Sequence, residues 1–263
     1  MSAALLDAPA WAGAVEGLAP VGLDELVATA GLLARVDRKY VVPLPVVAAV
    51  VGRLAGVRVL EVGGRRASAY GSVYFDTPDL ACFRMSAHAR RRRVKVRSRT
   101  YLDSGVAFTE VKTRGPRGLT VKDRQPRAGA DDALGADDRD YVAGVLRARV
   151  PSDGALRPVT LAPVLRTTYT RTTLALPDGA RATVDLDLVW RTPGGTVACG
   201  VEGVAVVETK SPGGATVLDR ALWRAGVRPS RLSKFGAGLV VLDPSLPAHR
   251  WCSTLRRLPL HAA

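Results

Sequence analysis

Cysteine is scarce in this chain: Cys82, Cys199 and Cys252 are the whole complement in 263 residues. Their number is odd and none has a CxxC or His-flanked spacing, which argues against a disulfide framework or a zinc site and fits a reducing, cytoplasmic compartment. Aromatic residues make up only 5% of the chain, thin for base-stacking platforms, and no recognised RNA or DNA motif appears, so nucleic acid is not an expected partner. His88, His249 and His261 are too scattered to form a site, and there is no Walker loop, HExxH or GxSxG. Long apolar runs are missing too. The longest, Tyr40 to Val51, is broken by Pro43 and Pro45, and the N-terminus lacks a basic region and a continuous apolar stretch, so neither a membrane span nor a signal peptide is expected.

What the chain does have is positive charge on a foldable background. Lys and Arg number 38 against 24 Asp and Glu, a net charge of +14, while 47% hydrophobic residues suffice for a real core. Such a surplus points to a polyanionic partner: nucleic acid, nucleotide, polyphosphate or an anionic membrane face. Only six of the cations are lysines, Lys39, Lys95, Lys112, Lys122, Lys210 and Lys234. A compact ammonium is not interchangeable with a planar guanidinium, so these positions merit attention as point charges for phosphate oxygens.

Residues 1–22 read as a loose lead-in, 23–242 as the folded domain and 243–263 as a tail. Short helices are expected at "GLDELVATAGLL", "PLPVVAAVVGRLAG", "LACFRMSAH", within 128–157, at "ATVLDRALWRAG" and at "SRLSKFGAGLVVL". Strands are expected at "ARVDRKYVV", "VRVLEV", "ASAYGSVYFDT", "RRRRVKVRSRTY", "VAFTEVKTR", "LTVKDRQPR", "PVTLAPVLRTTYTRTTLAL", "RATVDLDLVWR" and "GVAVVETK". This order predicts an α+β fold built on a large antiparallel sheet or barrel.

Successive side chains of a strand point to opposite faces, so parity sorts the charges. Arg93, Lys95, Arg97 and Arg99 share one face; so do Arg35, Asp37 and Lys39; Glu110 and Lys112; Lys122 and Arg124; Arg181, Asp185 and Asp187; Glu208 and Lys210. For one strand, a solvated outer face would be the ordinary explanation. Here the opposite faces are apolar enough to pack under helices; if helices cover the outside of a closed sheet, the charges line its inside. Two like charges about 4 Å apart repel by roughly 4 kcal/mol at an effective dielectric near 20, so a lumen of this kind requires anions. Glu208, Glu110, Asp37, Asp185 and Asp187 can meet that need as ion-pair partners, or hold Mg²⁺ or Mn²⁺.

The segments "RVDRKY" (35–40), "SVYFDTPDL" (72–80), "RRRRVKVRSRTY" (90–101), "FTEVKT" (108–113), "PVLRTTYTR" (163–171), "RATVDLDL" (181–188), "VVETK" (206–210) and "LSKFGAG" (232–238) resemble, in order, the motifs of the VTC domain. This is the polyphosphate polymerase domain of the vacuolar transporter chaperone complex, within the triphosphate tunnel metalloenzyme superfamily. The resemblance implies a closed eight-stranded antiparallel β-barrel, a triphosphate tunnel, with helices packed outside. It implies phosphate ligands at Lys39, Arg97, Arg99, Lys112, Lys122, Arg166, Arg181, Lys210 and Lys234, and a metal-binding carboxylate at Glu208, with Glu110 a further candidate for Mn²⁺ or Mg²⁺. Lys39, Arg97, Arg99, Lys112, Arg166 and Lys210 are the catalytic candidates. Where the phosphatase branch of the superfamily carries ExExK, this chain has Arg35-Val36-Asp37-Arg38-Lys39, which favours the polymerase-like branch. The implied activity is transfer of the γ-phosphate of ATP to inorganic polyphosphate. The alternatives are hydrolysis of triphosphate or polyphosphate, and non-catalytic polyanion binding. A membrane-protein partner is compatible with the resemblance.

Overall fold

The structure is a computed structural model that describes residues 3–30, 36–114, 120–129, 132–150 and 156–263. Its central feature is an antiparallel path of eight strands. In spatial order these are β7 (Thr120–Arg127), β6 (Ala107–Arg114), β5 (Val94–Tyr101), β4 (Ser68–Asp76), β8 (Ala162–Ala175), β9 (Arg181–Arg191), β11 (Val204–Ser211) and β2 (Val36–Pro43). Four short strands extend this into a 12-stranded sheet: β1 (Ala19–Val21) and β3 (Arg58–Leu60), a parallel pair, and β10 (Ala198–Val201) and β12 (Leu260–Ala262).

Among the described residues the sheet does not close. The described residues of β2 and β7 form no ladder with each other, so the expected barrel is a strongly curved open sheet. β7 is built as an edge: exposed and half-buried positions alternate, its surface is charged, and Pro126 lacks the N–H a further ladder would need. The curvature is evident from which charges meet. β6 and β11 are five steps apart, about 24 Å if the sheet were flat. Lys112 on β6 nonetheless lies in the field of Glu208 on β11, and Lys95 on β5 in that of Lys39 on β2. The sheet folds its charged face onto itself as a cleft.

Helices α3 (Leu44–Gly52) and α6 (Val217–Arg224) cover the outer face of β2, β9 and β11, burying Tyr40, Val42, Ala182, Val184, Ala205 and Val207. Pro45 sits in the first turn of α3, where a missing N–H costs nothing, and Thr216 with Asp219 forms a capping box on α6. Helices α4 (Ala81–Ala87) and α5 (Ala136–Arg149) belong to the other core cluster, with Val73, Phe75, Val94, Val96 and Val111. α2 (Leu23–Ala30) buries Leu26 in a small cluster with Val21 and Ala175.

The ends of the chain are more structured than the sequence reading allows. Residues read as a loose lead-in form α1 (Ala3–Glu16), whose Trp11 and Val15 join the α3 cluster. The presumed tail contains α8 (Cys252–Leu255) and β12, and buries Trp251 and Leu258. In both places isolated apolar residues in polar or Ala/Gly-rich surroundings gave no periodic signal.

α7 (Lys234–Leu242) packs against β8, β9 and β10 at one end of the cleft. Ser233 caps it, its Oγ accepting from Gly236 N–H at 3.1 Å. Gly236 and Gly238 let the helix approach closely: a Cβ at either would run into the rings of Trp251 or Trp190.

Candidate functional site

The β5–β6–β7 wall of the cleft is arranged around one carboxylate. Glu110, almost fully buried, accepts from Arg97 Nε at 2.8 Å and Nη2 at 2.6 Å, and from Lys122 Nζ at 3.3 Å, with Arg99 Nε 3.9 Å away. Ladder register makes this arrangement: Arg97 pairs with Glu110, Glu110 with Arg124, and Lys112 with both Lys95 and Lys122. Burial alone would raise the Glu110 pKa, but the surrounding cations, Arg97 foremost, hold it far below the usual carboxylate range. Lys112 is driven the other way, first by the Arg97 charge and then by burial, to well below an ordinary lysine.

The β9–β11–β2 wall carries two carboxylates. Glu208 accepts from Lys39 Nζ at 2.7 Å and lies 3.0 Å from Lys210 Nζ. Burial opposes its charge, yet Lys210, Lys39 and Lys112 hold its pKa well below normal. Lys39 is the mirror image: burial pulls down, and Glu208 prevails and raises it. Lys210 has too little compensation, and burial lowers it to about 8. Asp185 accepts from Arg171 Nη2 at 2.8 Å, with Arg171 Nε on its other oxygen, and also pairs with Lys234. Burial works against the Asp185 charge, and Arg171 and Lys234 outweigh it, lowering its pKa. Arg181, half-buried, pairs in register with Lys210 at the end of the same wall.

Between the walls lies an aromatic ladder that the sequence reading missed. Tyr70 and Tyr169 stack with centroids 5.3 Å apart; Arg171 lies over both, Arg99 over Tyr70, Arg97 over Tyr74 and Lys234 over Tyr169. These contacts fix long cationic side chains without neutralising them. The alternation of Tyr70, Ser72 and Tyr74 in "YGSVY", with the same parity as the arginines paired to them, was an available signal. Among the described residues, Ser72 Oγ, Arg99 Nε, Tyr169 OH and Thr183 Oγ1 are buried on this face without a hydrogen-bond partner. Such donors are costly unless a ligand takes them up.

Lys39, Arg97, Arg99, Lys112, Lys122, Lys210 and Lys234 are thus brought into one cleft, together with Lys95, whose Nζ donates to Ser233 Oγ at 2.8 Å. Burial, reinforced by Lys39, Arg97, Arg93 and Arg250, pushes Lys95 down to about 7. Two expectations require correction. Arg166 pairs in register with Val73 and Arg191, opposite in parity to Tyr169 and Arg171, so it projects from the other face of β8, where it pairs with Asp132 at 39% side-chain exposure. Arg171 occupies the cleft in its place. Asp187 does not share a face with Asp185: β9 is irregular there, Asp187 takes a left-handed conformation (φ 53°), and its side chain is exposed. Arg35 lies outside the described residues.

Among the described residues no cluster of three or more His, Cys, Asp or Glu side chains could hold a metal. Both Glu110 oxygens are engaged by guanidinium or ammonium groups. The Glu208 oxygens are likewise paired, with Lys39 and Lys210, but its side chain is 18% exposed against 2% for Glu110, so Glu208 would be the more accessible oxygen donor to a hard divalent cation that takes its remaining ligands from phosphate and water.

The arrangement is that of a cleft for a flexible, highly charged oxyanion. Sequence comparison gives the class a name: the profile of the VTC domain matches residues 34–243, and the chain belongs to that family. No curated protein matches it significantly. Among solved structures, a putative adenylyl cyclase from Hippeastrum, HpAC1, described as having a dominant triphosphatase activity, is 14% identical over 78% of this chain and 95% of its own, with TM-score 0.47. The PH1819 protein of Pyrococcus horikoshii OT3 is 13% identical over 77% of this chain and 96% of its own, with TM-score 0.44.

Proposed function

We propose that the cleft binds the triphosphate of ATP and transfers its γ-phosphoryl group to the end of an inorganic polyphosphate chain. Family membership supports phosphate handling. The observation that carries the reading is the charge imbalance of a buried surface. Lys39, Lys95, Arg97, Arg99, Lys112, Lys122, Arg171, Lys210 and Lys234 converge on Glu110, Glu208, Asp185 and Asp37; burial, reinforced by neighbouring cations, depresses Lys95 and Lys210, and the Arg97 charge followed by burial depresses Lys112. A polyphosphate supplies the missing negative charge at high density, with oxygens on every side.

Phosphoryl transfer depends on alignment and charge neutralisation more than on a protein nucleophile. Arg97, Arg99, Lys112 and Arg171 hold the non-bridging oxygens, and the three arginines are fixed by Glu110, Asp185 and the tyrosines before substrate arrives. A terminal oxygen of the acceptor chain forms a bond to the γ-phosphorus as the bond to the ADP oxygen breaks. Lys39, Lys210 and Lys234 neutralise charge on the opposite wall. Mn²⁺ or Mg²⁺ held by Glu208 would supply Lewis-acid charge neutralisation at the phosphates.

Incubation with ATP and Mn²⁺ is expected to yield long, acid-stable polyphosphate. Release of orthophosphate alone would replace polymerisation with hydrolysis, and binding without turnover would leave a polyanion-binding module. Glu208→Gln is expected to retain tripolyphosphate binding and lose roughly 100-fold or more in turnover; unchanged turnover would remove the metal assignment. Among the described residues no helix is long and apolar enough to span a membrane. A cytoplasmic location, and any membrane-protein partner, belong to the same proposal.

A further inference from the structure

The cationic rows do not stop at the cleft. On β5 the inward parity that carries Arg99, Arg97 and Lys95 continues to Arg93, just before the strand begins, and on β6 that of Glu110 and Lys112 continues to Arg114. The two are neighbours, Arg114 N–H donating to Arg93 O at 3.1 Å. The C-terminal segment brings two more. Arg231 is tied to α8 by Thr254 Oγ1, which donates to its carbonyl at 3.1 Å, and Arg250 precedes Trp251, whose ring packs 5.8 Å from Phe83. His249 lies 5.5 Å from His88, just ahead of the Arg90–Arg92 run.

These four guanidiniums have no carboxylate or hydrogen-bond partner among the described residues, although each lies within the field of another. Burial and then Arg114 and Arg250 pull the Arg93 pKa down; burial and then Arg231 and Arg114 do the same to Arg250. Lys95 feels both Arg93 and Arg250, so the cluster is continuous with the cleft. Arg99 to Arg93 spans about 20 Å of strand, longer than a triphosphate needs. Arg114 and Arg231 are exposed and Arg93 and Arg250 half-buried, so the four are open to an anion that would offset their mutual repulsion.

We propose that Arg93, Arg114, Arg231 and Arg250 form a second phosphate subsite at the cleft mouth, holding the part of a polyphosphate chain that extends beyond the reacting phosphates. The proposal rests on the polyphosphate reading above and adds to it a selection for long chains. A continuous track would also keep the chain attached between successive transfers.

The test is equilibrium binding of the full chain to tripolyphosphate and to long-chain inorganic polyphosphate at one fixed salt concentration. Wild type is compared with Arg93→Gln/Arg250→Gln and with Arg93→Lys/Arg250→Lys. Long-chain polyphosphate is expected to bind wild type at least about tenfold more tightly per chain than tripolyphosphate, and the glutamine pair to erase most of that advantage while tripolyphosphate affinity holds. The lysine pair should keep it. A melting temperature of the glutamine pair at or above wild type, expected from relieved repulsion, separates loss of the subsite from misfolding. An equal fall for both ligands, or an unchanged ratio, overturns the subsite. Parallel titrations use a single-stranded oligonucleotide and phosphatidylserine vesicles. If either loses as much affinity as long-chain polyphosphate, the patch is a general polyanion surface and the subsite is overturned. Failure of tripolyphosphate to bind wild type would instead sink the functional reading of the cleft, and the subsite would stand only if long-chain binding still required Arg93 and Arg250.

Discussion

The two walls of the cleft solve the same electrostatic problem differently. On β5–β6–β7 a single buried glutamate is clamped by a two-pronged arginine whose charge is permanent, with the depressed Lys95 and Lys112 beside it. On β9–β11–β2, Glu208 lies between two lysines, one of them lowered to about 8, so that wall can change its charge near neutral pH. Arginine offers a rigid template; lysine can adjust as phosphate and metal come and go. The contrast teaches that the responsive groups are the buried lysines Lys95, Lys112 and Lys210, which occur on both walls, rather than one wall as a whole.

The largest expected effect tests which arginine of β8 belongs to the walls. Arg171→Ala should reduce phosphate turnover roughly 100-fold or more, whereas Arg166→Ala, on the opposite face, should leave it close to wild type; steady-state kinetics of the two variants decide the matter. A reversed result would mean that the β8 register is wrong.

Next comes the Glu110 clamp. Glu110→Gln leaves Arg97, Arg99 and Lys122 without their counter-ion and should cost about 3–5 kcal/mol in denaturant unfolding, because a broken buried pair leaves uncompensated charge. Tripolyphosphate should restore part of that loss. The same carboxylate makes an acid prediction: its folded pKa is depressed, so its stabilisation is present above the ordinary glutamate pKa and is lost as pH falls towards the folded value. Equal acid sensitivity of wild type and Glu110→Gln would refute it.

A smaller effect separates the responsive lysines, one on each wall, from the arginines. Lys95 and Lys210 have folded pKa values of about 7 and about 8, below the unfolded lysine value, so between those values and the unfolded one the unfolded chain binds more protons. Their contribution to stability therefore rises with pH from about 7 towards 10. Tripolyphosphate affinity should fall across the same range as these ammonium groups lose their protons. Thermal melts and titrations at pH 7 and 9 should thus move in opposite directions, and Lys95→Met should flatten both trends. The smallest effect concerns the helix at the cleft's end: Gly238→Ala, which crowds Trp190, should cost about 1–3 kcal/mol through overpacking.

Much of the cleft was legible in the strand alternation. The run from Arg93 to Arg99 and the pairs Glu110/Lys112 and Glu208/Lys210 fall on one face because the side-chain period of a strand is two, a local property of the backbone. The apolar residues between them identified the side that helices cover, and six lysines in an arginine-rich chain were a fair guide, since all of them reach this face or its edge. The tyrosine ladder was missed because a tyrosine in a strand looks like any core residue until a guanidinium is placed over it. Neither the helix at the N-terminus nor the strand at the C-terminus had a repeating pattern to reveal it.

Arg166 and Arg171 show where sequence alone stops. Five residues apart on one strand, they cannot share a face, and the sequence determined that much. Which of them enters the cleft depends on the neighbours: Tyr169 opposite Tyr70 and Arg171 opposite Asp185 turn one face inward, and no local rule specifies that pairing. Asp187 adds the complementary lesson, because a single left-handed residue ends the parity that sequence spacing assumes. The alternation of charge was encoded residue by residue; its direction, the open seam between β2 and β7, and the meeting of Lys112 with Glu208 were decided by tertiary structure, since each depends on strands distant in the chain.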